Sequence, residues 1–123
     1  MVEYLEIRGK KYPVRIGYYV MKKVKEETGK SLGDAMQEAE DNPALHEIIL
    51  YAALKVGAFV EKQELDLKEE DMPFILDMVF YDYLKLFKSE KFFPKEVADK
   101  VKKEMNQALG NPKKKKRTKE PSK

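Results

Sequence analysis

Apolar and polar positions alternate near the start of the chain and then change period. Tyr12, Val14 and Ile16 alternate with Lys11, Pro13 and Arg15, the two-residue repeat of a half-buried strand. Gly9-Lys10 ahead of them predicts a turn back onto Val2 to Ile7, giving a β-hairpin. Proline cannot donate to a ladder, so Pro13 puts this strand at an edge. From Tyr18 the spacing becomes helical. Val20 and Val24 lie four apart among lysines and glutamates, and Gly29 is suited to end a helix over 18–28 in the left-handed conformation. Ser31, with Asp34 three residues on, forms an acidic variant of the capping box. It predicts a short second helix carrying Leu32, Ala35, Met36 and Ala39.

Asn42-Pro43 is a start signal, because Asn accepts from orphan amides and Pro supplies the helical φ at the first position. The third helix that follows runs to about Val60. Thirteen of its residues 44–60 are apolar, too many for a helix with one solvated face, so it is central or meets a partner. Asp66 with Glu69 is a further cap signal, and Pro73 belongs in a first turn, which places a fourth helix from near Met72 to Phe87 or Lys88. At 100° per residue its polar positions Asp77, Asp82, Lys85 and Lys88 fall within an arc of roughly 140°. The rest of the circumference is left to Phe74, Ile75, Leu76, Met78, Val79, Phe80, Tyr83, Leu84, Leu86 and Phe87, so more than half of this helix wants cover. A fifth helix starts at Pro94, carries Val97, Val101, Met105 and Ala108 or Leu109 on one stripe, and ends at Gly110 with Pro112 beyond. After Gly110 no apolar residue remains, and such a segment cannot bury enough surface to offset its ordering entropy. The expected architecture is therefore mostly α: a compact bundle of about five helices over 1–110, opening with a hairpin at 1–17, and a disordered basic tail at 111–123.

A chain of 123 residues is one domain's worth of material, and a charged fraction of 38% exceeds the usual quarter, which argues for a well-solvated exterior. With no cysteine there is neither a disulfide nor a thiolate metal site, and the composition fits a reducing compartment. Glu3 and Glu6 lie where a signal peptide needs a basic start and an unbroken apolar run, so a cytoplasmic location is expected. The most apolar stretch is broken by His46, Glu47 and Lys55 and falls short of the roughly 20 residues a bilayer demands, so no membrane span is expected. The net charge of +3 is divided unevenly. Residues 111–123 hold seven cations against one carboxylate, a balance of +6, whereas 1–110 hold 18 against 21, a balance of −3.

Candidate chemistry is sparse. His46 is the only histidine, cannot make an ordinary zinc site alone, and is read as solvent-facing. Glu26-Glu27 and Glu69-Glu70-Asp71 sit at a helix end and a helix start, as capping residues do. No phosphate loop, dinucleotide fingerprint, nucleophile elbow or calcium loop occurs, so no catalytic residue, metal or cofactor is assigned and the chain is read as a non-enzyme. Seven of the thirteen aromatics crowd into 74–93, but Asp77 and Asp82 among them would repel phosphate, which favours core packing or a protein-binding surface over a base-stacking platform. Candidate partner-binding residues are thus Ile49, Leu50, Ala53 and Gly57 on the third helix and Leu76, Phe80, Tyr83, Leu84 and Phe87 on the fourth. Ala53 and Gly57, four apart, would permit close backbone approach, as they would in an ordinary core contact. Lys113, Lys114, Lys115, Lys116 and Arg117 suit a nuclear-localisation or nucleic-acid-binding stretch, or a solvated tail binding polyanions weakly and without sequence preference. Four consecutive lysines can also be written as an A-rich run on which ribosomes slip, which would make the segment the scar of a programmed frameshift.

Three segments together resemble the tail assembly chaperones of long-tailed bacteriophages with flexible, non-contractile tails. They are Ile7-Arg8-Gly9-Lys10-Lys11-Tyr12-Pro13-Val14-Arg15-Ile16-Gly17, Lys25-Glu26-Glu27-Thr28-Gly29-Lys30-Ser31-Leu32 and Ile49-Leu50-Tyr51-Ala52-Ala53-Leu54-Lys55, and the resemblance covers residues 5 to about 88. It implies a small helical protein of the bacterial host cytoplasm that self-associates, coats the tape measure protein and is absent from the mature virion. It also implies a minority longer form, made by a frameshift near the lysine run, that recruits tail tube protein. The competing expectation is a nucleic-acid-associated accessory protein acting through residues 113–117, and a third is a structural subunit of an assembled particle.

Overall fold

The computed structural model describes residues 1–109, with side chains described through Gln107. Among the described residues the chain forms an antiparallel hairpin, β1 (Glu3–Ile7) and β2 (Lys10–Val14), followed by α1 (Tyr18–Thr28), α2 (Leu32–Glu38), α3 (Ala44–Val60), α4 (Met72–Leu86) and α5 (Lys95–Leu109). This is the mostly helical bundle with an N-terminal hairpin that the pattern predicts. The tail at 111–123 lies outside the described residues.

Hairpin register pairs Leu5 with Tyr12 and Ile7 with Lys10, so the turn is Arg8-Gly9 rather than Gly9-Lys10. Arg8 and Gly9 have φ of 52° and 81°, the pair of left-handed residues that a tight two-residue hairpin turn needs to match strand twist. Leu5, Ile7, Tyr12, Val14 and Ile16 face the core. Pro13 departs from the alternation because it is buried too. The cause is α3, which lies directly on the β2 backbone: a Cβ built on Gly57 would overlap the Pro13 carbonyl and come within 2.6 Å of the Val14 nitrogen. One turn earlier, the Arg15 amide donates to the Ala53 carbonyl at 3.2 Å. The small residues four apart thus serve an internal helix-to-strand contact.

Helix α3 also packs against α1, α2 and α4, which explains its nearly all-round apolar character. Leu45, Ile49, Leu50, Ala52, Ala53, Leu54 and Ala58 are buried on it. Its start differs from expectation. Asn42 makes no side-chain cap, Pro43 is the cap residue, and the first amides of the turn, Leu45 and His46, donate to the carbonyls of Asn42 and Pro43. Three other boundaries follow their sequence signals, while the expected stop at Gly110 lies outside the described residues. Gly29 has φ 76° and its amide closes on the Lys25 carbonyl, Ser31 Oγ accepts from the Asp34 amide at 3.1 Å, and Pro73 lies in the first turn of α4.

Long-range polar ties complete the frame. Asp66 does not cap α4. It accepts from Lys10 Nζ and from the Tyr12 hydroxyl, each at 2.9 Å, and these bonds hold its carboxyl below the usual carboxylate range. A single 3-10 turn, Glu69–Asp71, leads into α4 instead, with the Lys68 amide donating to Asp71 Oδ2. The Ile16 amide donates to the Phe92 carbonyl at 2.7 Å, and Ser89 Oγ donates to Glu3 at 2.8 Å, so the segment after α4 is sewn to the hairpin. Helix α5 turns Val101 inward against α2, and its Glu104 carboxylate accepts from the Gly33 amide, satisfying an orphan donor in the first turn of α2. Val97 and Met105 are half-buried on the same stripe.

The Gly57 contact predicts a large and position-specific cost. A Cβ there meets backbone, which no rotamer change relieves, so Gly57→Ala is expected to destabilise by about 3 kcal/mol or more. Gly17→Ala, where a Cβ meets nothing within 4 Å, is expected to stay within about 1 kcal/mol. Urea midpoints of the two variants check this, and equal losses would contradict the close approach.

Candidate protein-binding surface

Helix α4 is apolar on two sides, and only one is covered. Its inner side buries Met72, Ile75, Leu76, Tyr83 and Leu86. Between the halves, Val79 has φ −128° and ψ 24°, a kink with no proline behind it. On the covered side, Tyr83 is fully buried and its hydroxyl lies 2.9 Å from His46 Nδ1. His46 is therefore half-buried rather than solvent-facing, held edge-on against the rings of Phe80 and Tyr83 at 5.3 Å. Edge contacts continue through Phe87 to Phe92 and Phe93. Burial holds the His46 imidazole below its ordinary pKa and pushes the Tyr83 phenol up, so at neutral pH both are uncharged. The phenol then donates to Nδ1 of the Nε2-protonated ring, the arrangement that leaves no buried hydroxyl proton unpaired.

The outer side of α4 carries Phe74, Met78 and Tyr81, exposed by 73%, 52% and 78%, at spacings of four and three that align them in a row. Leu84 extends it with partial exposure, and Asp77, Asp82, Lys85 and Lys88 are exposed alongside. Isolated apolar residues on a surface are ordinary, whereas a row of large ones rimmed by charge marks an interaction surface. Beside this row, Pro43, Glu47, Pro73, Asp77, Phe80 and Tyr81 line an open groove of about 460 Å³ between the starts of α3 and α4.

A second uncovered region lies at the far end of α3. Phe59 is 84% exposed and Tyr18 is also open, and with Arg15, Tyr19, Lys55 and Val56 they line a groove of about 660 Å³. The Lys55 ammonium lies 5.5 Å from the Tyr51 ring centre and 5.9 Å from that of Tyr19.

Most of the residues assigned to partner binding from sequence are interior. Ile49, Leu50, Ala53, Gly57, Leu76 and Tyr83 are buried, and Phe80 and Phe87 are half-buried, which leaves Leu84 as the exposed member. The buried six build the core, and Leu76 among them also forms part of the lining of the groove between α3 and α4. Lys113, Lys114, Lys115, Lys116 and Arg117 lie outside the described residues. Phe74, Met78, Tyr81, Tyr18 and Phe59 were missed. The signal for three of them was present, because Phe74, Met78 and Tyr81 fall inside the very arc that Asp77, Asp82, Lys85 and Lys88 define, so Phe74 and Met78 do not belong with the rest of the circumference to which the pattern assigned them.

No family model matches this chain, and neither a curated protein nor a solved structure matches it. Among the described residues no helix is long and apolar enough to cross a membrane, and no three His, Asp or Glu side chains come together as a metal site.

The His46–Tyr83 bond predicts unequal costs for its two ends. His46→Ala strands a fully buried hydroxyl and is expected to cost about 1–3 kcal/mol, whereas Tyr83→Phe leaves an unpaired acceptor on an imidazole that is only half-buried and is expected to cost about 1 kcal/mol or less. Because the folded-state pKa of His46 is depressed, its contribution is present above the unfolded value of about 6.5 and is lost as pH falls through the folded value. Stability is therefore expected to decline on acidification below about pH 6.5. Denaturation midpoints across pH for wild type and His46→Ala check this, the variant giving the flatter profile.

Proposed function

We propose that this protein is a phage tail assembly chaperone that acts by binding rather than catalysis, shielding apolar helical segments of the tape measure protein in the host cytoplasm. The observation that carries this reading is the exposed row Phe74, Met78 and Tyr81 on α4. Anchors spaced by four and three residues suit an amphipathic helix laid alongside, whose own apolar stripe repeats with the same period. Burying one large side chain on association is worth about 1.5–3 kcal/mol before ordering costs, so a row of three supports specific but releasable binding. Releasability is what a chaperone needs when tube subunits take over its client.

The segments that carry the family resemblance support the reading in a second way, because they fall on the frame rather than on the row. Ile7 to Gly17 spans the hairpin turn, β2 and the exit to α1; Lys25 to Leu32 spans the α1–α2 turn; Ile49 to Lys55 lies in the middle of α3. They are the parts on which the fold depends, while the client surface is free to differ with the client. In this proposal the lysine run at 113–116 marks the slip toward a longer form that recruits tail tube protein.

The test is capture of partners by the N-terminally tagged protein from its native cells, with nuclease in the lysate, followed by mass spectrometry. A very long helical protein is expected. Phe74→Asp with Met78→Asp should lower its recovery at least about tenfold, a loss of roughly 1.4 kcal/mol or more. Both residues are exposed, so the urea midpoint should hold, and removal of residues 111–123 should leave capture intact. Capture that disappears with nuclease, salt or the tail, and ignores the α4 substitutions, would instead make the basic tail the working element.

A further inference from the structure

The groove at the far end of α3 differs from the row on α4 in its charge. Tyr18, Tyr19 and Phe59 supply its rings, Arg15 and Lys55 supply its charges, and no carboxylate lines it. Along the α4 row the charges are mixed, Asp77 and Asp82 with Lys85 and Lys88. Among the described residues the ion pairs are Lys10–Asp66, Lys22–Glu26, Lys23 with Glu26 and Glu27, Lys30–Glu38 and Lys100–Glu104, and neither Arg15 nor Lys55 takes part in one. Lys55 also borders a small cleft with Glu27 and Glu69, but Glu27 faces Lys23 at 3.8 Å, and the Lys55 ammonium lies against the Tyr51 and Tyr19 rings instead. A cation among rings is drawn to their faces and keeps its N–H donors for an acceptor.

Rigid elements place these groups. Lys55 and Phe59 lie four apart on one face of α3, Tyr18 opens α1, and Arg15 leaves β2 where its amide is bonded to the Ala53 carbonyl at 3.2 Å.

We propose that this groove binds an acidic peptide segment of another protein, one that lays a large apolar side chain against Phe59 and Tyr18 and sets carboxylates against Arg15 and Lys55. Charge and exposure select this occupant. Phe59 and Tyr18 are exposed by 84% and 75%, so a small molecule here would stay largely in water, whereas small-molecule sites enclose most of their ligand. A chain segment lying across the rings covers them. Single-stranded nucleic acid also uses rings and cations, but its charge continues along the strand, and past the groove it would meet Glu61 at the end of α3 in a body, 1–110, whose balance is −3. A peptide confines its negative charge to a few carboxylates. The basic segment 113–117 would bring cations to cations. The inference does not rest on the chaperone reading, because an acidic segment in this groove neither requires nor precludes a client on the α4 row.

The test is selection of short random peptides, displayed on yeast, by the labelled full chain, followed by titration of the enriched peptides in synthetic form. Enriched sequences are expected to combine aromatic or large aliphatic residues with Asp and Glu, and their binding is expected to weaken with salt. Phe59→Ser, and Arg15→Glu with Lys55→Glu, should each weaken binding on the order of tenfold or more, while Phe74→Asp with Met78→Asp leaves it unchanged. The charge-reversed variant, put through the same selection, should enrich basic peptides instead. Phe59 and Lys55 are exposed, and the Arg15 bond to Ala53 runs through the backbone that substitution keeps, so urea midpoints should hold. Phe59→Ser carries the test alone should the charge reversal unfold the chain. No enrichment, enrichment of basic or uncharged peptides by the wild type, binding indifferent to Phe59→Ser, or displacement of the peptide by a short oligothymidylate would each overturn the inference. Any of these together with capture that still depends on the α4 row would leave the chaperone reading standing.

Discussion

The close contact between Gly57 and the Pro13 carbonyl governs the rest of the molecule. A two-stranded hairpin is marginal by itself and needs a surface to pack against. Here that surface is α3, brought to backbone contact by the absence of a side chain at 57 and fixed in register by the bond from the Arg15 amide to the Ala53 carbonyl. With β2 held there, Ile16 is delivered to the Phe92 carbonyl and α1 begins immediately at Tyr18. Tyr18 and Phe59 consequently end up on one groove, although they are 41 positions apart in the sequence. The exposed groove at this end is thus a by-product of the contact that makes the core.

The opposite end follows from how α4 is bound. Its inner face is committed to Tyr83, whose hydroxyl has to find a partner in a dry interior, and His46 in the first turns of α3 supplies it. That bond and the edge-on rings around it fix the rotation of α4 about its axis. Once Tyr83 points inward, Phe74, Met78 and Tyr81 are obliged to point out. A domain that simply needed another helix for its core could carry polar residues at those three positions with no loss of packing. Their retention beside charged neighbours is a cost in solubility without any return in the isolated fold, which is why they are read as a surface meant to be covered.

Element types and most boundaries were legible in the sequence because they rest on local chemistry. Gly29, Ser31 and Pro73 act on amides within one turn of themselves, and the structure places each as its chemistry requires. What depended on distant partners was not legible. Asp66 looks like a cap until Lys10 and Tyr12 arrive from the hairpin, Asn42 is outcompeted by backbone carbonyls, and the turn moves to Arg8-Gly9 because strand pairing sets the register. The interaction surface suffered most. Periodicity reports that a helix is apolar on many sides, but not whether the cover comes from this chain. Helix α3 turned out to be surrounded by β2, α1, α2 and α4, so Ile49, Leu50, Ala53 and Gly57 are core, while α4 is covered on one side and bare on the other.

The separation of the two faces on α4 decides how much of the helix a single covering surface could reach. Within the first half of the helix, Pro73, Leu76 and Asp77 on the groove side and Phe74 and Met78 on the row are separated by roughly 120° around the axis. Cover along the row would therefore leave most of the groove open, with Tyr81 at the boundary between them. The geometry favours shallow contact along a row over insertion into one deep pocket.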